Sequence, residues 1–155
     1  MTAKFNESFA TVPVSAGSEI SVALKKHEVV TLASIVEKET GAPAERPLIS
    51  SVFHNRMRKG MKLQTDPTVI YGIWTKTGTW NRNISRQDLT TPTPYNTYVI
   101  PGLPPGPIAN PGLDTIQSVI RPAQTQFLYF VAKGDGTHAF AETLDEHLAN
   151  IERYQ

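Results

Sequence analysis

The middle of the chain, residues 61–112, holds most of its 12 prolines, together with many threonines, asparagines and glycines. Proline fixes φ and removes a backbone donor, so neither a long helix nor a central strand can run through this stretch. Regular structure is therefore expected mainly in the two flanks, with a short helix at 67–73. Because the stretch also carries several tyrosines and both tryptophans, whereas disordered linkers are poor in aromatics, it predicts an ordered region that forms a site.

The flanks carry the periodicities of helices and strands. Before the middle, apolar spacing predicts helices at about 27–40 and 45–59, and Ser18 resembles the N-cap of a short helix after an irregular lead-in, residues 1–17. After it, we predict a helix at 113–120 and an antiparallel hairpin from 127–131 and 138–140. A capping-box pattern at 143–146 opens a last helix, with Leu144, Leu148 and Ile151 as its buried stripe. The expectation is one α+β domain, residues 18–155: several helices, a small antiparallel sheet and a long ordered loop region.

Charge and composition argue against several classes of protein. The net charge is +1 and the basic residues are scattered, which does not favour a nucleic-acid partner. The one dense basic stretch, 56–59, lies at a predicted helix end, where cations favour the helix dipole. Cysteine is absent, which excludes disulfides and a thiol nucleophile. No apolar run is long enough to span a membrane and no export signal opens the chain, so we expect an excised domain.

Glu39 is the candidate catalytic residue. On a helix it follows Ile35 by four residues and Val36 by three, so it continues the apolar stripe, whereas Glu37 falls out of phase and is expected to be the more exposed. A carboxyl group facing inward has a raised pKa, as a proton donor near neutral pH requires. The alternative is a solvated carboxylate at a fraying helix end.

Three polar stretches supply candidate contacts for a ligand: 63–68, 91–98 and 102–112. Rings for stacking, with amides and hydroxyls held by prolines, suit a sugar-binding groove, although capped turns are an equally good interpretation of each stretch. The candidate substrate contacts or supports of Glu39 are Gln64, Asp66, Tyr71, Asn96 and Tyr98.

Neither a metal nor a cofactor is expected. The four histidines lack metal-ligand spacing, and the chain contains neither a glycine-rich phosphate loop nor a Gly-x-Ser-x-Gly elbow. His138 flanks the predicted hairpin turn and could reach the groove, but an ordinary surface histidine is the simpler interpretation.

Taken in order, these motifs resemble the endolytic murein transglycosylase family, also called YceG-like. The resemblance covers roughly residues 30–155 and rests on Leu32–Thr40, Ser51–Arg56, Leu63–Gly72, Thr91–Tyr98, Gly102–Gly112, Leu128–Val131 and His138–Phe140. It places the catalytic glutamate, the second of Glu-Lys-Glu-Thr, on Glu39. The segment 74–86 departs from the family pattern and receives no role.

The resemblance implies a YceG-like catalytic domain that cleaves peptidoglycan glycan strands within the chain, with peptidoglycan synthases as candidate partners. Members are anchored in the bacterial inner membrane by an N-terminal helix, with the catalytic part facing the periplasm and cell wall. This chain lacks that helix and a LysM-like portion, so the expectation is the catalytic domain alone, with its anchor outside the chain.

The implied reaction breaks the β-1,4 bond between N-acetylmuramic acid and N-acetylglucosamine without water, leaving a 1,6-anhydro end. One carboxyl group first donates and then removes a proton. Two alternatives remain open. A glycoside hydrolase of peptidoglycan would need a second carboxylate, for which Asp66 is the candidate, and a non-catalytic domain would only bind the cell wall.

Overall fold

The computed structural model describes residues 24–155, so the predicted lead-in, 1–17, and most of the helix predicted after Ser18 lie outside the described residues. Two helices form the first flank, as predicted: α1 (Lys26–Glu39) and α2 (Arg46–Arg58), with a single 3-10 turn, Pro43–Glu45, between them. The backbone N–H of Lys25 donates to the Glu28 carboxylate (2.9 Å) and caps the start of α1.

The hydrophobic core lies where α1 and α2 meet helix α5 (Leu113–Ile120). The predicted stripe of α1 is confirmed, since Leu32, Ile35 and Val36 are all 0% exposed. His54 fastens α2 to α5 through a hydrogen bond of 2.9 Å between its Nε2 and the carbonyl of Val119. The last turn of α1 is thus packed on a rigid layer.

The middle region contains more helix than predicted. Helix α3 (Asp66–Thr77) is longer than the predicted 67–73 and ends at Gly78, whose φ of 77° is readily adopted only without a side chain. A further short helix, α4 (Arg86–Thr90), was not predicted; Ser85 and Asp88 form its reciprocal capping box. The rest of the region consists of turns that return to the start of α3.

The predicted hairpin is confirmed as strands β1 (Tyr129–Ala132) and β2 (His138–Ala141), paired antiparallel with Phe130 opposite Phe140. Phe130 also packs edge-on against Phe53 of α2, with ring centroids 5.9 Å apart. The hairpin is therefore attached to the core by one of its faces.

The last helix, α6 (Leu144–Tyr154), begins as predicted, with the Thr143 hydroxyl accepting from the Glu146 N–H (3.2 Å). Its predicted buried stripe is wrong, because Leu144 and Leu148 are 53% and 52% exposed. The helix faces the hairpin with another side, on which His147 stacks on Tyr129 at 4.9 Å. Aromatic partners on the hairpin, rather than the leucines, determine how α6 is rotated.

Across residues 24–155, every helix is too short or too polar to traverse a lipid bilayer.

Candidate active site

A cleft with a volume of about 460 Å³ lies between the end of α1, the start of α3 and the hairpin. Charged, amide, phenol and imidazole groups face one another across it. The residues lining the cleft are Glu39, Arg56, Leu63, Gln64, Asp66, Tyr98, Phe130, Val131, Ala132, His138, His147 and Gln155.

Glu39, the last residue of α1, lies in the wall of this cleft and is partly buried. Its Oε2 accepts a hydrogen bond of 3.1 Å from the Thr65 hydroxyl. Burial raises the pKa of Glu39 from its ordinary 4.5 to about 7; the Thr65 hydrogen bond opposes this change, and the negative charge of Asp66 adds to it. A large fraction of Glu39 therefore carries a proton at neutral pH, in a place that a ligand can reach.

A buried threonine network holds Thr65 beneath Glu39. The N–H of Thr65 donates to the Thr97 hydroxyl at 2.9 Å, and the hydroxyls of Thr97 and Thr68 lie 2.8 Å apart. Each of the three threonines is at most 1% exposed. The network ties the loop before α3 to the loop after α4, so the donor to Glu39 has a fixed position.

Replacing Thr97 with valine is expected to lower the free energy of unfolding by about 1–3 kcal/mol, because the Thr65 N–H is left buried without an acceptor. Urea denaturation measures this change. Thr75→Val is the matched control, since Thr75 is exposed and bonds only within its own helix, and it should change stability by less than about 0.5 kcal/mol. Equal effects of the two substitutions would contradict the role assigned to the network.

Asp66 and Tyr98 form a hydrogen-bonded pair in the cleft. The Tyr98 hydroxyl donates to Asp66 Oδ1 at 2.5 Å. Burial, followed by the hydrogen bond to Asp66, raises the pKa of Tyr98 above its ordinary value, so the phenol stays neutral. Asp66 thus has a partner of its own and contributes a negative charge that opposes ionisation of Glu39.

Gln64 lines the cleft in a left-handed backbone conformation, with φ of 51°. This conformation is uncommon for a residue other than glycine and costs about 1–3 kcal/mol where the surroundings enforce it. Here the Gln64 N–H donates to the Thr97 carbonyl at 3.2 Å. The turn directs the chain from α2 into α3 and brings Gln64, Thr65 and Asp66 to one wall of the cleft.

Arg56 was not predicted as a site residue. The prediction placed it in a basic stretch at a helix end, where it favours the helix dipole; in the structure it is only 8% exposed and lines the cleft. Its Nε donates to the Leu128 carbonyl (2.7 Å) and its Nη1 to the Lys62 carbonyl (2.9 Å). A sequence signal was available: Arg56 follows Val52 by four residues and Phe53 by three, in phase with the buried stripe of α2.

Two histidines close the far side of the cleft. His138 is not an ordinary surface histidine, since its Nδ1 lies 2.9 Å from Glu45 and it lines the cleft. His147 comes from α6, and its Nδ1 is buried without a partner. Burial is the main reason that the pKa of His147 is lowered. The sequence predicted the hairpin and the helix and left open that His138 reaches the groove, but it gave no indication that His147 belongs to this site.

Of the five predicted contact residues, the structure places Gln64, Asp66 and Tyr98 in the cleft beside Glu39. Tyr71 lies outside it, in a ring cluster with Tyr95, at 4.8 Å between centroids.

Asn96 also lies outside the cleft and is 0% exposed. Its amide donates to the Leu89 and Thr91 carbonyls and its Oδ1 accepts from the Tyr98 N–H. Buried and fully engaged, Asn96 supports the loop that carries Tyr98, which favours the supporting role over a direct ligand contact.

Glu37 is half-buried, with 25% of its side chain accessible. Its Oε1 accepts from the Gly112 N–H at 2.8 Å and its Oε2 pairs with Arg46 at 3.4 Å. Glu37 thereby fastens the start of α5 to α1, outside the cleft. The two glutamates of the motif thus have different surroundings, one in a fold contact and one in the cleft.

Within the described part of the chain, no group of three or more histidine, aspartate or glutamate side chains could hold a metal ion.

The model of the YceG-like family matches residues 1–153. The endolytic murein transglycosylase of Bacillus subtilis strain 168 is 44% identical over 128 residues, which is 83% of this chain and 34% of that protein. The protein of the same name from Streptococcus pneumoniae serotype 2 strain D39 is 37% identical over 134 residues, covering 83% of this chain and 24% of its own length.

Among solved structures, a yceG-like protein from Listeria monocytogenes superposes with a TM-score of 0.76 at 37% identity. The match covers 95% of this chain and 44% of that one. The α+β arrangement is therefore shared with a protein of known structure. In each of these comparisons the present chain spans less than half of its relative.

Proposed function

The chain belongs to the YceG-like family, and from this premise we propose that it is the catalytic domain of an endolytic peptidoglycan lytic transglycosylase. Relatives named endolytic murein transglycosylase, at 44% and 37% identity, support the proposal. The main observation behind the proposal is that the carboxyl group of Glu39 lies in a cleft and has a pKa raised to about 7.

The raised pKa suits both halves of the proposed reaction. Neutral Glu39 donates its proton to the glycosidic oxygen as the bond from that oxygen to C1 of N-acetylmuramic acid breaks. The carboxylate then takes the proton of the C6 hydroxyl of the same sugar, whose oxygen bonds to C1 and closes the 1,6-anhydro ring. The carboxyl group ends as it began, and water is neither consumed nor released.

The surroundings of Glu39 favour this single-carboxyl scheme over hydrolysis by two carboxylates. A hydrolase needs a second carboxylate free to act as nucleophile or to activate water. Asp66, the candidate for that role, is engaged by the Tyr98 hydroxyl at 2.5 Å. In the proposed scheme its negative charge helps Glu39 to keep its proton until a substrate binds.

Digestion of purified sacculi, followed by mass analysis of the product ends, tests the proposed function. The expected products carry 1,6-anhydro ends and are lighter by one water molecule than the reducing ends of hydrolysis. Reducing ends would support the hydrolase alternative. Binding to sacculi without release of soluble fragments would support a non-catalytic wall-binding domain. Either result would overturn the proposal.

As part of the same proposal, the domain works on the cell-wall side of the bacterial inner membrane. Peptidoglycan synthases, which build the strands it would cut, are the candidate partners. Fractionation of cells that make the whole protein is expected to recover it with the inner membrane. Recovery in the soluble cytoplasmic fraction would contradict this location.

A further inference from the structure

Arg56 is a buried cation without an acidic partner. Its guanidinium is held by backbone carbonyls of Leu128 and Lys62, at 2.7 and 2.9 Å. The ion pairs found among residues 24–155 join other groups, Arg46 with Glu37 and His138 with Glu45. A charge taken out of water without a counter-charge is costly. The Tyr129 ring lies 5.1 Å from the guanidinium carbon in a cation–π contact, but no carboxylate of the described chain forms an ion pair with Arg56.

The unused part of the guanidinium is available to a ligand. Within residues 24–155 the Nη2 of Arg56 donates to no protein group and is not among the enclosed polar atoms, so its donors are open to the cleft that the residue lines. An arginine fork whose Nε and Nη1 are fixed by carbonyls presents Nη2 in one orientation, which suits recognition of a planar oxyanion.

A second group beside Arg56 also lacks a partner. The Nδ1 of His147 is buried and has no hydrogen bond, and His147 lines the same cleft. The two side chains contact the same ring, since the guanidinium carbon of Arg56 lies 5.1 Å and the imidazole of His147 4.9 Å from the centroid of Tyr129. After burial, the positive charge of Arg56 is the next cause that lowers the pKa of His147. An anion bound beside Arg56 would offset its charge and relieve the repulsion that disfavours protonated His147.

The acidic groups that line the cleft or pair with a residue lining it are already engaged. Asp66 accepts the hydrogen bond of Tyr98, and Glu45 is paired with His138. The remaining carboxyl group of the cleft, Glu39, lies in surroundings that favour its neutral form. The missing negative charge must therefore come from the ligand.

We propose that Arg56, with His147 beside it, forms an anion subsite that binds a carboxylate carried by the muramic half of the substrate. This inference rests on the proposed function. Two groups on the substrate can carry this carboxylate: the lactyl group of an unsubstituted N-acetylmuramic acid, or the peptide attached to that lactyl group. Arg56 is thus a binding residue that fixes which sugar lies on which side of Glu39.

The test measures binding rather than cleavage. Wild-type protein is titrated with N-acetylmuramate and with N-acetylglucosamine, which differ in the lactyl carboxylate, while NMR follows the Nε–H signal of Arg56. A charge-assisted hydrogen bond predicts a preference of about 10- to 100-fold for the acidic sugar, with a shift of that signal. N-acetylmuramoyl dipeptide is the third ligand, since its carboxylates are on the peptide, and its rank against N-acetylmuramate identifies the source.

Arg56→Gln should abolish the preference and Arg56→Lys should keep part of it, with thermal melting as the check on folding. If Arg56→Gln does not fold, the wild-type preference and the Arg56 signal decide alone. Equal affinity of the wild-type protein for the acidic and the neutral sugar, or a preference that survives in Arg56→Gln, overturns the subsite. Because no glycosidic bond is cut, this failure is distinct from a failure of the proposed transglycosylase activity.

Discussion

Replacing Glu39 with glutamine is expected to reduce the release of 1,6-anhydro products from sacculi by about 10²- to 10⁴-fold, the usual contribution of a positioned acid and base. The amide has nearly the same shape and can still accept the hydrogen bond that Thr65 gives to Glu39, at 3.1 Å. It can neither donate a proton to the leaving oxygen nor remove one from the C6 hydroxyl. The loss is expected in kcat, measured from initial rates on purified glycan strands.

Glu37→Gln is the matched control for this substitution. Glu37 belongs to the same helix and the same motif but contacts Gly112 and Arg46 outside the cleft. Its amide oxygen could still accept from Gly112, so the variant is expected to lose the ion pair, some stability and less than about tenfold of the rate. A folded Glu39→Gln protein that retains its rate would show that another group supplies the proton.

The stability of the protein is expected to depend on pH through Glu39. The pKa of this residue is about 7 in the folded protein and near its ordinary 4.5 when unfolded. Below 4.5 both states are protonated, and Glu39 makes no difference. Between 4.5 and 7 only the unfolded chain releases the proton, so the free energy of unfolding falls as pH rises. Above pH 7 the loss in free energy of unfolding levels off at about 3 kcal/mol, which is the penalty for ionising buried Glu39.

Urea denaturation of wild-type and Glu39→Gln protein between pH 4 and 8 measures this penalty. The difference between the two cancels the contributions of other titrating groups. The glutamine protein should gain about 3 kcal/mol relative to wild type from the acid to the alkaline end of the range. A difference that stays constant with pH would mean that the carboxylate of Glu39 is well solvated in the folded protein.

The fold was predictable where local pattern determines it. Apolar periodicity located α1 and α2, and Pro122 marked the end of α5. An apolar, aromatic run followed by a turn signal located the hairpin. Local pattern failed for α6, because Leu144 and Leu148 have the spacing of a buried stripe while the helix turns His147 toward Tyr129. Which side of a helix is buried depends on the surface it packs against. For α6 that surface is the hairpin, so the sequence of α6 alone does not reveal its buried side.

In the candidate site, too, some residues could be predicted from local sequence and others could not. The phase of Glu39 on α1 could be worked out from sequence, and Gln64, Asp66 and Tyr98 were found from their polar stretches. The roles of Arg56 and the two histidines in the cleft depend on contacts between distant segments, such as Arg56 with Leu128 at 2.7 Å. Asn96 was predicted from the same kind of polar stretch, but it is buried and its side chain supports its own loop.

Titration of the Glu39 side-chain carboxyl by ¹³C NMR, with Glu39→Gln used to assign its signal, measures whether this group is protonated at neutral pH. The expected midpoint is near pH 7, because burial in the wall of the cleft disfavours the charged form. A midpoint near the ordinary 4.5 would contradict the proposed catalytic role, since Glu39 would then be ionised at neutral pH and could not protonate a glycosidic oxygen.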